Sequence, residues 1–153
     1  VERHVQDAVA KGGRVLVGGN RMPGIGKQFF EPTVVADATA DMLCAKEETF
    51  GPFAPVFKFK TEAEAIAMAN DTEYGLSAGV HTANVGRGMH IASQLNVGLV
   101  HVNDQTVNDD GVMPMGGRGS SGNGSRHGGP ANWDEFTQWQ WMTVRSSAPG
   151  YPL

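Results

Sequence analysis

The segment Lys46-Glu47-Glu48-Thr49-Phe50-Gly51-Pro52 is the most informative stretch of this 153-residue chain. It places a carboxylate two residues before an aromatic ring and then ends in a Gly-Pro turn. Because residues two apart in an extended segment point to the same side, Glu48 and Phe50 are expected to face one ligand together. A carboxylate suits paired hydroxyls and an aromatic face suits a flat ring, so the pair favours a ribose joined to a heterocycle. The alternative is a solvated acidic turn at a strand edge, because short motifs often match by chance.

The composition excludes several classes of protein. The chain has the size of one ordinary domain. Its net charge is −4 and it has no long basic run, so neither nucleic acid nor an anionic membrane is an expected partner. No stretch approaches the ~20 apolar residues that span a bilayer. The single cysteine, Cys44, cannot form an intrachain disulfide, which favours a reducing cytoplasm.

The hydrophobic pattern predicts an α/β unit. Helices are predicted over 1–11, 62–70, 84–95 and 132–136, and strands over 15–17, 29–35, 54–60, 76–81, 97–102 and 138–145. The second helix is predicted to bury Ala65, Ile66 and Ala69. The third is predicted to begin at an Asn84 cap and to bury a face formed by Val85, Met89, Ala92 and Leu95. This alternating order is typical of a largely parallel sheet with flanking helices. Residues 103–129 form a long irregular stretch, which in a compact domain is usually functional. Val1 enters a helical pattern without an initiator methionine or a cap, so we expect a piece of a longer protein.

Four motifs occur in an order that resembles the C-terminal part of the NAD(P)-dependent aldehyde dehydrogenase superfamily. They are the Glu47–Pro52 string, Asn70-Asp71-Thr72-Glu73-Tyr74-Gly75-Leu76-Ser77, the strand end Val102-Asn103, and Pro114-Met115-Gly116-Gly117 with Ser121-Gly122-Asn123-Gly124. The resemblance covers essentially the whole chain, and the ordered set is more specific than any one motif. It implies the later half of the catalytic domain over 1–137 and an oligomerisation strand with a tail over 138–153.

The resemblance also implies roles for individual residues. Glu48 would hold the nicotinamide ribose of NAD or NADP, and Phe50 would pack beside the nicotinamide. Asn103 would lie near the reactive centre. The substrate mouth would be lined by Gln105, Thr106, Val107, Met113 and Met115. Gln138 to Val144 would join the sheet of a neighbouring subunit and so form a homo-oligomer.

The family's reaction oxidises an aldehyde to an acid through a cysteine thiolate. Its nucleophilic cysteine, its general-base glutamate and its phosphate-binding Rossmann segment precede the matched part, so no catalytic residue is expected in this chain and the chain alone should be inactive. A non-catalytic structural or interaction module derived from the same fold is the alternative.

The motifs divide over the substrate. Asn103 to Asn108 and the Asn123-Gly124-Ser125-Arg126 form resemble benzaldehyde and vanillin dehydrogenases, whereas Val1 to Val5 and Met42 to Lys46 resemble succinate-semialdehyde dehydrogenases. Met115 stands where the family usually has Phe. We favour an aromatic aldehyde, because residues 103–115 would line the substrate mouth.

Three further features have simple explanations. Cys44 lacks a glycine-rich nucleophile loop and is interpreted as a small buried hydrophobe. Gly117 to Gly122 matches the letters of a dinucleotide-binding loop, but a clean helix start is missing after it, so phosphate binding is not expected. His101 with Asp104, Asp109 and Asp110 is interpreted as turn chemistry, and no metal site is predicted.

Overall fold

The computed structural model describes residues 1–150. Five helices lie in this range: α1 (Glu2–Ala10), α2 (Leu43–Lys46), α3 (Glu62–Asn70), α4 (Val85–Ala92) and α5 (Ala131–Phe136). Seven strands accompany them: β1 (Arg14–Val17), β2 (Thr33–Ala38), β3 (Phe53–Phe57), β4 (Tyr74–Gly75), β5 (Ser77–Val80), β6 (Leu99–Val102) and β7 (Arg118–Gly119). Each of these helices is too short or too polar to cross a membrane.

The strands form three small sheets. β2 pairs in parallel with β3, and β5 pairs in parallel with β6. β1 runs antiparallel to β2, and the two-residue strands β4 and β7 are also antiparallel. The pair β5–β6 has the predicted crossover helix, α4, whereas no helix was predicted where α2 lies, between β2 and β3. The helix predicted over 62–70 has the bounds of α3.

The core lies between α1 and the three-stranded sheet. Its buried members are Ala8, Val35, Ala38 and Met42, with Val15, Cys44, Phe53 and Phe57 packed around them. β2 begins directly after Pro32, later than the strand predicted from residue 29, because proline has no N–H to donate to a ladder. The core therefore fixes residues 33–57, which include the Glu47–Pro52 segment.

The predicted inner face of α4 is correct at Ala92, which is buried, and at Leu95, which is half-buried, and wrong at Val85 and Met89. Val85 and Met89 are exposed, whereas Gly88 and Ala92 are buried. A Cβ on Gly88 would lie 2.7 Å from Cγ1 of Val102, so the missing side chain is what lets α4 approach β6. Asn84 caps this helix as predicted, and its side chain accepts a hydrogen bond from the Arg87 N–H at 3.0 Å.

The predicted apolar face of α3 is only partly covered. Ala65 and Ile66 are half-buried and Ala69 is exposed. All three border open cavities that are also lined by Phe59. The burial expected for these side chains is therefore not reached within residues 1–150.

The strand predicted over 138–145 has no partner within the described residues. No helix or strand is formed there, and Trp139, Trp141, Met142 and Val144 are exposed. A strand needs a neighbouring ladder, and the neighbour that the sequence predicts belongs to another subunit. The last part of the predicted tail, residues 151–153, lies outside the described residues.

Candidate cofactor and substrate site

The Glu47–Pro52 segment leaves α2 in an extended conformation. Glu47, the residue that ends α2, has φ −109° and ψ 140°. At the other end, the Thr33 N–H donates to the Pro52 carbonyl oxygen at 2.9 Å and joins the segment to β2. Glu48 is exposed, and 93% of Phe50 is accessible to solvent. Glu47 and Thr49 are half-buried between the exposed Lys46, Glu48 and Phe50, so burial alternates along this segment as the sequence predicts.

Glu47 and Thr49, the neighbours of Glu48, contact α1. The carboxylate of Glu47 forms an ion pair with Arg3 and lies 3.3 Å from Nε2 of His4. The hydroxyl of Thr49 lies 2.6 Å from Nδ1 of the same histidine. Sequence reasoning did not identify His4, because it precedes Thr49 by 45 residues. The only local signal was a histidine among the apolar positions of an amphipathic helix.

Glu48 borders a cavity of about 430 Å³. The opposite wall comes from the segment that contains β4 and β5, with Tyr74, Gly75 and Ser77 among its lining residues, and from Ser121 in the late glycine-rich motif. The Ser121 hydroxyl accepts a hydrogen bond from the Gly75 N–H at 3.1 Å, which holds these two parts of the wall together. Three of the four sequence motifs thus meet around one space.

Ser77 connects this cavity to the loop predicted to line the substrate mouth. Its hydroxyl donates to the Thr106 carbonyl oxygen at 3.0 Å. Gln105, Thr106 and Val107 are all exposed on that loop. Ser77 therefore links the cavity at Glu48 to the predicted substrate loop, whereas Phe50 is not among the residues that line this cavity.

Met113 and Met115 line a second cavity, of about 310 Å³, together with Leu99 and His101. Of the predicted site residues, Glu48 borders the first cavity, and Met113 and Met115 border this second one. His101 faces this cavity because it stands two positions after Leu99 in β6, on the same side of the strand. Within the described residues its Nε2 is buried without a hydrogen-bond partner.

The acidic loop beside His101 shows turn contacts. The Asp104 carboxylate accepts from the Gln105 N–H at 2.8 Å and from Asn108 Nδ2 at 2.5 Å. These two hydrogen bonds lower the pKa of Asp104, and the one from the Gln105 backbone has the larger effect. Across residues 1–150 no three His, Cys, Asp or Glu side chains come together as a set of metal ligands.

Asn103 occupies a strained backbone position at the end of β6. Its φ is +60°, in the left-handed region. Its N–H donates to the Val80 carbonyl oxygen at 2.8 Å. Its side chain therefore lies where β5 and β6 both end, the edge of a parallel sheet at which ligands commonly bind.

The dinucleotide-like string and Cys44 have structural roles. Arg118–Gly119, inside the dinucleotide-like string, pairs with β4, and the next helix in the described chain begins only at Ala131. Burial raises the pKa of the Cys44 thiol, which disfavours the thiolate that a nucleophile needs.

A family model described as the aldehyde dehydrogenase family matches residues 1–142. The chain belongs to the aldehyde dehydrogenase family. This confirms the predicted family and the predicted α/β fold class.

Three similar proteins illustrate the relationship. The chain is 43% identical over 149 residues to a benzaldehyde dehydrogenase (NAD(+)) of Pseudomonas putida, covering 97% of this chain and 30% of that one. It is 45% identical over 131 residues to a succinate semialdehyde dehydrogenase of Acinetobacter baylyi, covering 84% and 27%. The structure of a salicylaldehyde dehydrogenase from Pseudomonas putida G7, complexed with salicylaldehyde, superimposes with a TM-score of 0.85 at 36% identity, covering 98% and 30%.

The chain spans about 30% of the length of the curated relatives it matches. The similar proteins include both NAD⁺ complexes and NADP-dependent enzymes. NAD or NADP is the cofactor class that the motifs predict.

Proposed function

We propose that this chain forms the cofactor-orienting and substrate-wall part of an NAD(P)-dependent aldehyde dehydrogenase that oxidises an aromatic aldehyde to a carboxylic acid. The supporting observation is the pairing of an exposed carboxylate, Glu48, with an almost fully exposed ring, Phe50, on one extended segment. The segments on either side of this pair are hydrogen-bonded to α1 and β2, so the pair stands on a fixed support.

The residues present fit a nicotinamide nucleotide. Glu48 borders a cavity of about 430 Å³, and a carboxylate accepts hydrogen bonds from two neighbouring ribose hydroxyls. The Phe50 ring offers its face to a flat heterocycle. When bound, the nicotinamide supplies the two-electron acceptor for aldehyde oxidation. The contribution of Glu48 and Phe50 is to orient that end of the cofactor.

Replacing Glu48 by glutamine in the full-length enzyme that carries this chain tests the role. The amide keeps the shape and loses the charge, so the nicotinamide half should be misplaced while the rest of the cofactor stays bound. A displacement of about 1 Å can cost ~100-fold in turnover. We expect kcat to fall by more than the cofactor dissociation constant rises. Glu135→Gln on exposed α5 is the matched control, and an unchanged kcat in Glu48→Gln would exclude the ribose role.

The aromatic substrate is supported by the extent of the match. The benzaldehyde relative aligns with 97% of the chain and the succinate semialdehyde relative with 84%. Met113, Met115 and Leu99 give the second cavity an apolar wall suited to a ring. In the full-length enzyme benzaldehyde should have the higher kcat/KM.

Succinate semialdehyde is the second candidate, because that relative has the higher identity, 45% against 43%. A higher kcat/KM for the semialdehyde than for benzaldehyde would reverse the assignment.

Two further proposals concern the setting of the enzyme. The segment Gln138 to Val144, whose apolar side chains are exposed, adds a strand to a neighbouring subunit and forms a homo-oligomer. The enzyme works in the cytoplasm, a proposal supported by the single unpaired cysteine.

A further inference from the structure

One face of α1 follows the whole approach to the cofactor segment. Val1, His4 and Asp7 are three residues apart, so they lie on the same side of the helix. Each contacts residues 43–51 from that side. The Asp7 carboxylate accepts from the Leu43 N–H at 2.7 Å. At the far end, Val1 lies so close to Gly51 that any side chain at position 51 would collide with it.

His4 is the central contact and is unusual for a histidine. It is only 5% exposed, and it is one of the few buried polar side chains in the described chain. Both ring nitrogens have partners, Thr49 at 2.6 Å and Glu47 at 3.3 Å. The Glu47 carboxylate can only accept, so it fixes the hydrogen on Nε2. In the neutral ring, Nδ1 then accepts from the Thr49 hydroxyl.

These two partners are the alternate residues of the cofactor motif. Side chains alternate along an extended segment, so holding Glu47 and Thr49 against α1 turns Glu48 and Phe50 away from it. Both of the latter are exposed. Arg3 adds a second contact to Glu47 from the same helix. The orientation of Glu48 and Phe50 is therefore set by contacts of their neighbours Glu47 and Thr49.

We propose that His4 is a positioning residue for the nicotinamide end of the cofactor, acting through its hydrogen bonds to Thr49 and Glu47. The proposal rests on the proposed function of Glu48 and Phe50. Losing the imidazole would free the segment between its anchors at Leu43 and Pro52, and the pair would sample other orientations. The loss should affect the nicotinamide end of the cofactor and leave aldehyde binding unchanged.

The test uses two substitutions of His4 in the full-length enzyme. His4→Phe keeps a buried ring and removes both hydrogen bonds, whereas His4→Asn keeps a polar group near Nδ1 for Thr49. Losing one or two buried hydrogen bonds corresponds to about tenfold. We expect His4→Phe to lower kcat/KM for the cofactor about tenfold with the aldehyde KM unchanged, and His4→Asn to recover much of that loss.

Hydrogen exchange gives a readout that does not depend on activity. In His4→Phe the amide of Glu47, which donates to the Leu43 carbonyl oxygen at 2.8 Å, should exchange faster, while those of β2 and β3 keep their protection. Glu2→Gln is the matched control. Glu2 lies on α1 like His4, but its ion pair is with Arg21 and not with residues 43–51. Its exchange and its kinetics should equal those of the wild type.

Thr49→Val covers the case in which His4→Phe does not fold. It removes the hydroxyl at constant size, should reproduce the kinetic loss, and should cancel the recovery given by His4→Asn, since that recovery depends on the hydroxyl. Unchanged exchange and kinetics in both His4→Phe and Thr49→Val would overturn the proposal. If Glu48→Gln is silent while the exchange changes as expected, the proposed function fails and the positioning contact stands.

Discussion

The side-chain oxygen of Asn103 accepts a hydrogen bond from the Thr82 backbone N–H at 2.8 Å. The same residue donates its own N–H to Val80 and adopts a φ of +60°. It therefore joins the ends of β5 and β6 through one side chain and one peptide. Asparagine tolerates the left-handed conformation better than most residues with a Cβ.

Replacing Asn103 should separate its two contributions. Asn103→Ala loses the hydrogen bond and keeps a Cβ in the left-handed region without a polar side chain that bonds locally, so we expect the free energy of unfolding to fall by about 2 kcal/mol. Asn103→Gly loses only the hydrogen bond, with an expected fall of about 1 kcal/mol. Chemical denaturation measures both. Equal stability of Asn103→Ala and the wild type would show that the contact contributes nothing.

Two glycines of α4 should respond to alanine with opposite signs. Gly88→Ala places a Cβ 2.7 Å from Val102 and 2.9 Å from Thr82, and overpacking of this kind costs about 1–3 kcal/mol. Gly86→Ala meets only Asn84, at 3.5 Å, and gains up to about 1 kcal/mol of helix propensity. Thermal unfolding should show a lower Tm for the first variant and a higher Tm for the second. The same sign for both would contradict the packing of α4 against β6.

Asp7 should make stability depend on pH in the acid range. Its hydrogen bond with Lys11, followed by that from the Leu43 N–H, lowers the pKa of Asp7 below its ordinary value of 3.8. The resulting stability is present above 3.8 and is lost as the pH falls through the lower, folded-state value. Asp7→Asn should therefore be less stable than the wild type at pH 7, and the difference should vanish in strong acid. Unfolding curves at several pH values measure this, and a difference that stays constant with pH would refute it.

The 153-residue chain alone should oxidise no aldehyde. Burial, and the negative charge of the nearby Asp7, raise the pKa of Cys44, its single thiol, which disfavours the thiolate that a nucleophile needs. We expect no aldehyde-dependent NADH formation, which absorbance at the reduced nicotinamide band would detect. Activity that Cys44→Ala abolishes would contradict both this expectation and the interpretation of Cys44 as a packing residue.

Met142→Pro should weaken self-association. Proline removes a donor from the ladder that residues 138–144 are proposed to form with a neighbouring subunit. Sedimentation of the full-length enzyme should show dissociation at concentrations where the wild type stays assembled. Met113→Ala, on an exposed loop outside residues 138–144, is the control and should leave the assembly unchanged. An assembly unaffected by Met142→Pro would count against the strand.

Local signals in the sequence predicted much of the fold. The Asn84 cap, the bounds of α3 and the parallel pairs follow from patterns within about a dozen residues. The inner face of α4 could not be fully predicted in this way. The residue that packs closest to β6 is Gly88, and glycine in a helix is normally interpreted as destabilising rather than as a packing residue. The apolar face of α3 is only partly covered, although its hydrophobic pattern predicts burial. The pattern does not identify the element that would cover it.

The candidate site was predicted as a set of motifs, and their assembly was not. The string at residues 46–52 identified Glu48 and Phe50, but nothing near it points to His4, which reaches the segment only through the packing of α1. The same holds for Ser77, whose hydroxyl joins the Glu48 cavity to the loop at Thr106. Contacts between residues far apart in sequence depend on the tertiary arrangement, and a single sequence does not contain that information in readable form.

The exposed tryptophans are intrinsic fluorescence probes of this chain. Trp139 is fully accessible, and Trp141 and Trp133 are nearly as open to water. Indole fluorescence shifts to shorter wavelength when water leaves its surroundings, and it becomes resistant to collisional quenchers such as iodide. Assembly of the chain through residues 138–144 would therefore shift the tryptophan emission to shorter wavelength, without any added dye. In Trp133→Phe the tryptophan fluorescence of the chain would come only from Trp139 and Trp141.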